Sequence, residues 1–195
     1  NWKWNMGIGY NNATYTNSTF NKIEIAGQIS VIDFDSRLLL NKFSVFSHFS
    51  KTILNSKLIL SLGFRTDFND YSKKMINPLN QVSPRFSASY SLSKKLRVNF
   101  NVGRYFQLPT YTVMGFRDST NTLKNKANNI SYIHSDHMIA GLEFNPTRMS
   151  KVTLEGFYKN YDNYPFLLRD SISLANLGGD FGVIGNEPVT STSSG

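Results

Sequence analysis

Residues 83–109 read SPRFSASYSLSKKLRVNFNVGRYFQLP, and this stretch decides the architecture. From Ser83 to Ser93 the chain sets Pro84, Phe86, Ala88, Tyr90 and Leu92 against Ser83, Arg85, Ser87, Ser89, Ser91 and Ser93. A period of two belongs to a strand whose two faces meet different surroundings. Ser93-Lys94-Lys95 leaves room only for a hairpin turn. The chain then resumes with Leu96, Val98, Phe100 and Val102 against Arg97, Asn99, Asn101 and Gly103, so the two strands pair with apolar face beside apolar face.

The pattern repeats on both sides. Leu58, Leu60, Leu62, Phe64 and Phe68 oppose Ser61, Gly63, Arg65, Asp67 and Asn69, with Ile59 the one exception. Residues 42–53 place Phe43, Val45 and Phe49 on one face and Phe46 on the other. Downstream, Met138, Ala140, Leu142 and Phe144 precede a break at Pro146-Thr147-Arg148. Val152, Leu154, Gly156 and Tyr158 then follow against Thr153, Glu155 and Lys159. At the start Trp2, Trp4, Met6, Ile8 and Tyr10 alternate with Lys3, Asn5, Gly7, Gly9 and Asn11. That makes seven strands, most of about ten to twelve residues. Soluble strands average about half that length, whereas a tilted strand needs it to cross hydrocarbon.

The connections sort into two alternating kinds. Tight turns fall near Asn55, Lys94 and Thr147, while residues 12–41, 70–81, 108–135 and 164–195 read as long polar loops. Short turns on one rim and long loops on the other are the arrangement of outer-membrane barrels. Aromatic residues at strand ends, namely Tyr71, Tyr105, Phe106, Phe144, Tyr158, Tyr161 and Tyr164, suit interfacial girdles. Two alternatives stand beside a membrane barrel. One is a soluble, glycan-binding β-sandwich with one face on a core and the other in water. The other is a small autonomous eight-stranded barrel, if residues 22–31 hide a further strand.

Composition narrows the chemistry. The 195 residues are 40% hydrophobic, 14% aromatic and 17% charged, too apolar for disorder and poor in charge. Without cysteine there is no disulfide framework, thiol nucleophile or Cys-ligated metal. The net charge of +8 admits anionic partners, but the basic residues are dispersed and no basic helix or aromatic RNA-binding motif accompanies them, so nucleic acid is not expected. Lys124 and Lys126 suit lipopolysaccharide phosphates. His134, Asp136 and His137 offer metal-ligand types, but on a strand 134 and 137 face opposite ways, and no metal site is expected. No Gly-x-Ser-x-Gly elbow or phosphate loop occurs, and Glu143 and Glu155 read as wall carboxylates bonded to basic neighbours. No catalytic residue and no cofactor are expected.

The Ser-Pro-Arg strand, its Lys-Lys turn, the return strand and Gly103-Arg104-Tyr105-Phe106-Gln107-Leu108-Pro109 resemble the barrel of TonB-dependent outer-membrane receptors. So do Leu62-Gly63-Phe64-Arg65-Thr66-Asp67, Gly141-Leu142-Glu143-Phe144-Asn145-Pro146 and Gly156-Phe157-Tyr158-Lys159-Asn160-Tyr161. The tail from Gly178 to Val189 is similar to Bacteroidetes members. Four such motifs follow in the family's order over residues 57–195, and residues 1–56 match less clearly.

The resemblance implies an all-β, antiparallel, up-and-down transmembrane barrel section in the bacterial outer membrane. Residues 1–195 would be a single segment of a larger barrel, its plug domain and remaining strands absent, since an odd strand count cannot close a bacterial barrel. It further implies uptake of a scarce small-molecule, glycan or peptide ligand by non-covalent binding. Energy would be relayed from the TonB complex through the missing parts, and outer-membrane lipid and lipopolysaccharide would surround the wall. Ligand contacts are expected at Tyr111, Arg117, Asp118, Tyr164, Phe166 and Arg169. Arg65, Asp67, Arg85, Arg97, Asn99, Glu143 and Glu155 are expected to face the lumen.

Overall fold

The computed structural model describes residues 2–25, 27–118, 120–168, 171–177 and 191–195. Seven strands form one antiparallel sheet in sequence order: β1 (Trp2–Ile25), β2 (Gln28–Ile53), β3 (Leu58–Asn69), β4 (Ser83–Ser91), β5 (Leu96–Gln107), β6 (Ile133–Phe144) and β7 (Val152–Asp162). This is the up-and-down arrangement the alternation predicts. The sandwich alternative falls, because among the described residues nothing of comparable size faces this sheet. The second sheet consists of three two-residue strands, β8 (Phe166–Leu167), β9 (Ile172–Ser173) and β10 (Ser191–Thr192). Helices are single turns: α1 (Lys73–Ile76), α2 (Tyr111–Met114) and α3 (Lys124–Ala127).

One expectation is corrected. Residues 12–41, read as a loop, continue β1 and β2 as a hairpin paired from Trp2↔Lys51 to Ile25↔Gln28, turning at Gly27 with φ of 77°. Residues 22–31 are therefore the tip of this hairpin and not an eighth strand. The alternation blurs here because Leu38 and Leu40 are buried against the loops while Leu39 points the other way and is exposed.

Partners across an antiparallel ladder share a face, so the register sorts every side chain. One face carries Trp4, Phe49, Leu62, Phe86, Val102, Met138 and Tyr158 in a single cross-strand row. Its side chains are exposed, as with Ile8 at 87%, which in water would be untenable for so large an apolar surface. The upper limit of this band gives the strand tilt. On β6 and β7 it ends at Met138 and Tyr158, next to Asp136 and Asn160. On β1 it runs past Trp4, in the same row, as far as Tyr10, six residues on. Six residues over six interstrand steps is one residue per step, about 3.4 Å against about 4.8 Å, a tilt of about 35°. Outer-membrane barrels tilt by about 35–45°. Along β3 the band extends from Leu58 to Phe68, about 28 Å along the membrane normal at that tilt.

Aromatic contacts mark the top of the band, with Tyr10 and Phe43 rings tilted at 5.1 Å and Phe43 stacked on Phe68 at 5.3 Å. Above them a polar row closes it: Asn41 N donates to Asp70 Oδ1 at 2.9 Å, and Asn41 Oδ1 accepts from Tyr10 and Asn12, both at 2.9 Å. On the other face Phe46 is accommodated because its cross-strand partner is Gly7. A Cβ there would sit 2.6 Å from the Phe46 ring.

The buried core lies above the band, not within the wall. Leu38 and Leu40 meet Tyr71, Met75, Val113, Met114, Ile130, Tyr132, Leu167 and Leu174 from the loops. Tyr71, expected as an interfacial ring, is 1% exposed, and its hydroxyl donates to Met114 O at 2.8 Å. Ser72 Oγ donates to Ile130 O at 2.9 Å, and Asn125 Nδ2 to Val113 O at 2.8 Å. These bonds satisfy loop carbonyls that no ladder reaches.

Two measurements on the whole protein check this division. Leu62→Arg at mid-band is expected to cost about 2–4 kcal/mol of stability in lipid vesicles, whereas Ser87→Arg on the opposite face should change the urea midpoint little. Tyr71→Ala should remove about 3–5 kcal/mol from the loop core, seen as rapid protease cleavage within residues 108–132 while the strands stay protected.

Candidate functional site

The polar face of the wall meets the underside of the loop core in a hollow of about 520 Å³. Its wall side is Gly9, Lys42, Ser44, Arg65, Asp67, Arg85 and Phe106, and its loop side is Leu108 and Tyr132. A second hollow of about 350 Å³, bordered by His48, Ser61, Asn101 and Tyr105, continues it and shares Arg65 and Arg85. Small residues make the room: Gly9, Ser44, Gly63 and Gly103 leave the backbone bare between the large cations.

The charges in the hollow are differently engaged. Arg65 binds Asp67 through two bonds, Nε to Oδ2 at 2.6 Å and Nη2 to Oδ1 at 2.7 Å. The two residues stand on the same side of β3, two apart, as period two requires. Arg85 lies with its guanidinium 4.4 Å from the centre of the Tyr105 ring. Lys42 Nζ donates to the Tyr111 hydroxyl at 2.9 Å, tying wall to loop, and Tyr111 stacks on Tyr15 at 5.7 Å. Tyr132 receives Asn69 Nδ2 on its hydroxyl at 2.8 Å, and burial pushes its phenol up to about 12, so it is a neutral donor at physiological pH.

All seven residues expected on the lumen side share this face by register, in two groups. Arg65, Asp67 and Arg85 lie beneath the loops. Arg97, Asn99, Glu143 and Glu155 stand toward the rim of tight turns, where Glu143 accepts from Lys151 at 2.7 Å and lies 4.0 Å from Arg97. Asn99 Oδ1 accepts from Ser89 at 2.7 Å, and Glu155 packs over Gly141.

The six loop residues are not gathered in one place. Tyr111 joins the hollow through Lys42. Arg117 donates to Asn121 O at 2.7 Å and to Arg37 O at 3.2 Å, linking its loop to the β1–β2 hairpin. Asp118 Oδ1 accepts from the Thr120 hydroxyl at 2.6 Å and from the amides of Thr120 and Thr122, both at 3.0 Å. The Thr120 hydroxyl foremost holds this carboxyl below its ordinary range. Tyr164 meets Tyr161 edge-on at 5.9 Å, and Phe166 belongs to β8. Arg169 and the motif at 178–189 lie outside the described residues. His134 and His137 diverge as alternation requires: His134 stands 3.7 Å from Asp162 and His137 bonds Ser135 at 2.9 Å, while Asp136 is held by Arg104 through two bonds of 2.7 Å.

Lys42, Tyr105, Leu108 and Tyr132 border the site without having been expected there. Lys42 and Tyr105 carry a signal, since both fall on the polar phase of their strands. Leu108 and Tyr132 carry none, because loops have no period.

No curated protein sequence matches the chain. Among solved structures, the alcaligin outer-membrane receptor FauA from Bordetella pertussis aligns with a TM-score of 0.47 at 13% identity, over 100% of this chain and 35% of that one. The chain thus spans about a third of that receptor's length. The sequence signature described as TonB dependent receptor-like, beta-barrel, matches residues 1–193. With nearly its whole length matched, the chain belongs to the TonB-dependent receptor-like β-barrel family of the bacterial outer membrane.

Proposed function

We propose that this chain is one wall section of a receptor that captures a scarce ligand at the cell surface and imports it with energy relayed through TonB. The observation that carries the reading is the hollow beneath the loops. A polar wall bearing Lys42, Arg65, Asp67 and Arg85 opens under an ordered, hydrogen-bonded loop core, which is what selective binding followed by passage along a lumen requires.

The chemistry is binding without covalent change. The tight-turn rim at residues 54–57, 92–95 and 145–151 faces the periplasm, and the loop core faces outward, as in barrels of this kind. Tyr111 and Tyr164 are the loop rings placed to meet a ligand. Arg117 and Asp118 act chiefly by shaping the loop that presents Tyr111, since both are occupied by bonds within that loop and, for Arg117, to the β1–β2 hairpin. Phe166 and Arg169 belong to the last loop, which would complete the mouth. Lys124 and Lys126, on α3, are the groups suited to lipopolysaccharide phosphates. Kinship to Bacteroidetes receptors rests on the motif at 178–189.

The open sheet supports the remainder of the proposal. β1 and β7 end the sheet, and β7 is exposed along its length, so both edges carry unpaired backbone groups. Hydrocarbon does not tolerate such edges. Further strands of a longer chain would pair them, and a plug domain would fill the lumen and carry the contact to TonB.

The test uses cells bearing the full-length receptor, with and without functional TonB, and follows depletion of compounds from a defined medium by mass spectrometry. The expected outcome is at least one compound depleted only when receptor and TonB are both present. Tyr111→Ala should weaken uptake of that compound by about tenfold at limiting concentration, the order of one lost aromatic contact. Depletion that is indifferent to TonB would count against the proposal.

A further inference from the structure

We infer that Arg85 anchors a carboxylate-binding site on the lumen wall, an inference that rests on reading the polar face as the lumen. Among the described residues Arg85 has no ion-pair partner, and its Nε is buried without a hydrogen-bond partner. A guanidinium N–H shut from water and left unbonded is costly, so its place in the fold is accounted for by a partner that the described chain does not supply.

The surroundings specify that partner. Arg85 stands in a cross-strand row that reads His48, Gly63, Arg85, Gly103, His137, Lys159, a row with no carboxylate in it. Both immediate neighbours are glycine. A Cβ at Gly103 would come within 3.1 Å of Arg85 Cγ and 3.4 Å of the Tyr105 ring, so the residue that permits this arginine conformation is also the one that keeps its flank open. The Tyr105 ring lies 4.4 Å from the guanidinium carbon and covers one side of it. A guanidinium is a planar fork of donors, and a planar, two-oxygen acceptor matches it. The same wall shows the match complete one row higher, where Arg65 takes both oxygens of Asp67. That pair is self-neutralised, so Arg85 is the arginine left for an incoming carboxylate. The hollow has room for a small molecule or a side chain carrying the group.

The carboxylate could arrive on a diffusible compound or on another segment of the receptor's own polypeptide, and one experiment separates the two. The full-length receptor in detergent is titrated with succinate by calorimetry, as wild type, Arg85→Gln and Arg85→Lys, with Arg104→Gln on the outer face as control. Its own structure is determined without succinate. A diffusible carboxylate predicts succinate binding that weakens on the order of tenfold or more in Arg85→Gln, less in Arg85→Lys, which keeps the charge without the fork, and not at all in the control. An internal partner predicts no succinate binding and a lowered melting temperature in Arg85→Gln. It also predicts an Asp or Glu of the receptor within about 3 Å of the Arg85 nitrogens. Should Arg85→Gln fail to insert, judged by loss of heat-modifiable migration on gels, the lysine variant and the structure decide alone. If the wild type shows no succinate binding and its structure shows no internal carboxylate at Arg85, the inference is overturned. TonB-dependent depletion by the wild type is scored separately, so uptake without an anion at Arg85 defeats this site and leaves the receptor reading standing.

Discussion

A backbone that crosses hydrocarbon must satisfy its N–H and C=O groups from within, and the rest of this structure depends on that constraint. Seven strands meet it by pairing in sequence order, each with its chain neighbour, so that every tight turn on one rim follows directly from the ladder. Because pairing is antiparallel and side chains alternate, the same ladder gathers the apolar side chains on one face, for lipid, and the polar ones on the other. The 35° tilt is a consequence as well. The strands can be inclined only if the apolar band slides one residue per strand, and the sequence supplies that slide as a band ending at Tyr158 on one side and at Tyr10 on the other.

Above the membrane the constraint disappears and a different solution takes over. Water is available, the ladder is no longer obligatory, and the chain builds a small conventional core from loops. Leu38 and Leu40 connect the two regimes, because they sit on the polar phase of β2 yet are buried. Below them that face is the polar side of the wall, and at their height it is floor for α2 and the 70–82 loop. The hollow is the space between the two regimes, which is why its lining mixes wall cations with Leu108 and Tyr132 from the loops.

What the sequence reveals follows the same division. Strands β3 to β7 and their turns are legible residue by residue, since lipid enforces an apolar phase on one face while the other tolerates an occasional Ile59, Ile139 or Phe157, and Arg65, Arg85, Asn99 and Glu155 follow onto one face automatically. The extended β1–β2 hairpin is illegible from about residue 12 upward, where lipid no longer disciplines the outward face and loop packing puts leucines on the inward one. Phe46 looks anomalous until Gly7 is known to stand opposite it, and that pairing is a fact of register between residues 39 apart. Tyr71 carries the composition of an interfacial ring and the position of a core residue. Only the fold of the loop distinguishes them.

The arginines show most directly why site chemistry lags behind fold in such a reading. Arg65 closes on Asp67 within its own strand, a pairing visible as i, i+2. Arg97 shares Glu143 with Lys151, and Arg104 closes on Asp136, each across the β5–β6 ladder, pairings visible once the register is set. Arg85 sits on the same ladder, under the same alternation, with glycine on both sides and an aromatic ring beneath it. Its sequence context does not differ in kind from the others. What differs is that its row offers glycines, histidines and a lysine, and no neighbour on its own strand supplies a carboxylate, so among these four wall arginines Arg85 alone has no ion-pair partner within the described residues. A wall built only to be a wall would gain by pairing that charge or replacing it with serine, as it does at Ser87 and Ser89 on the same strand.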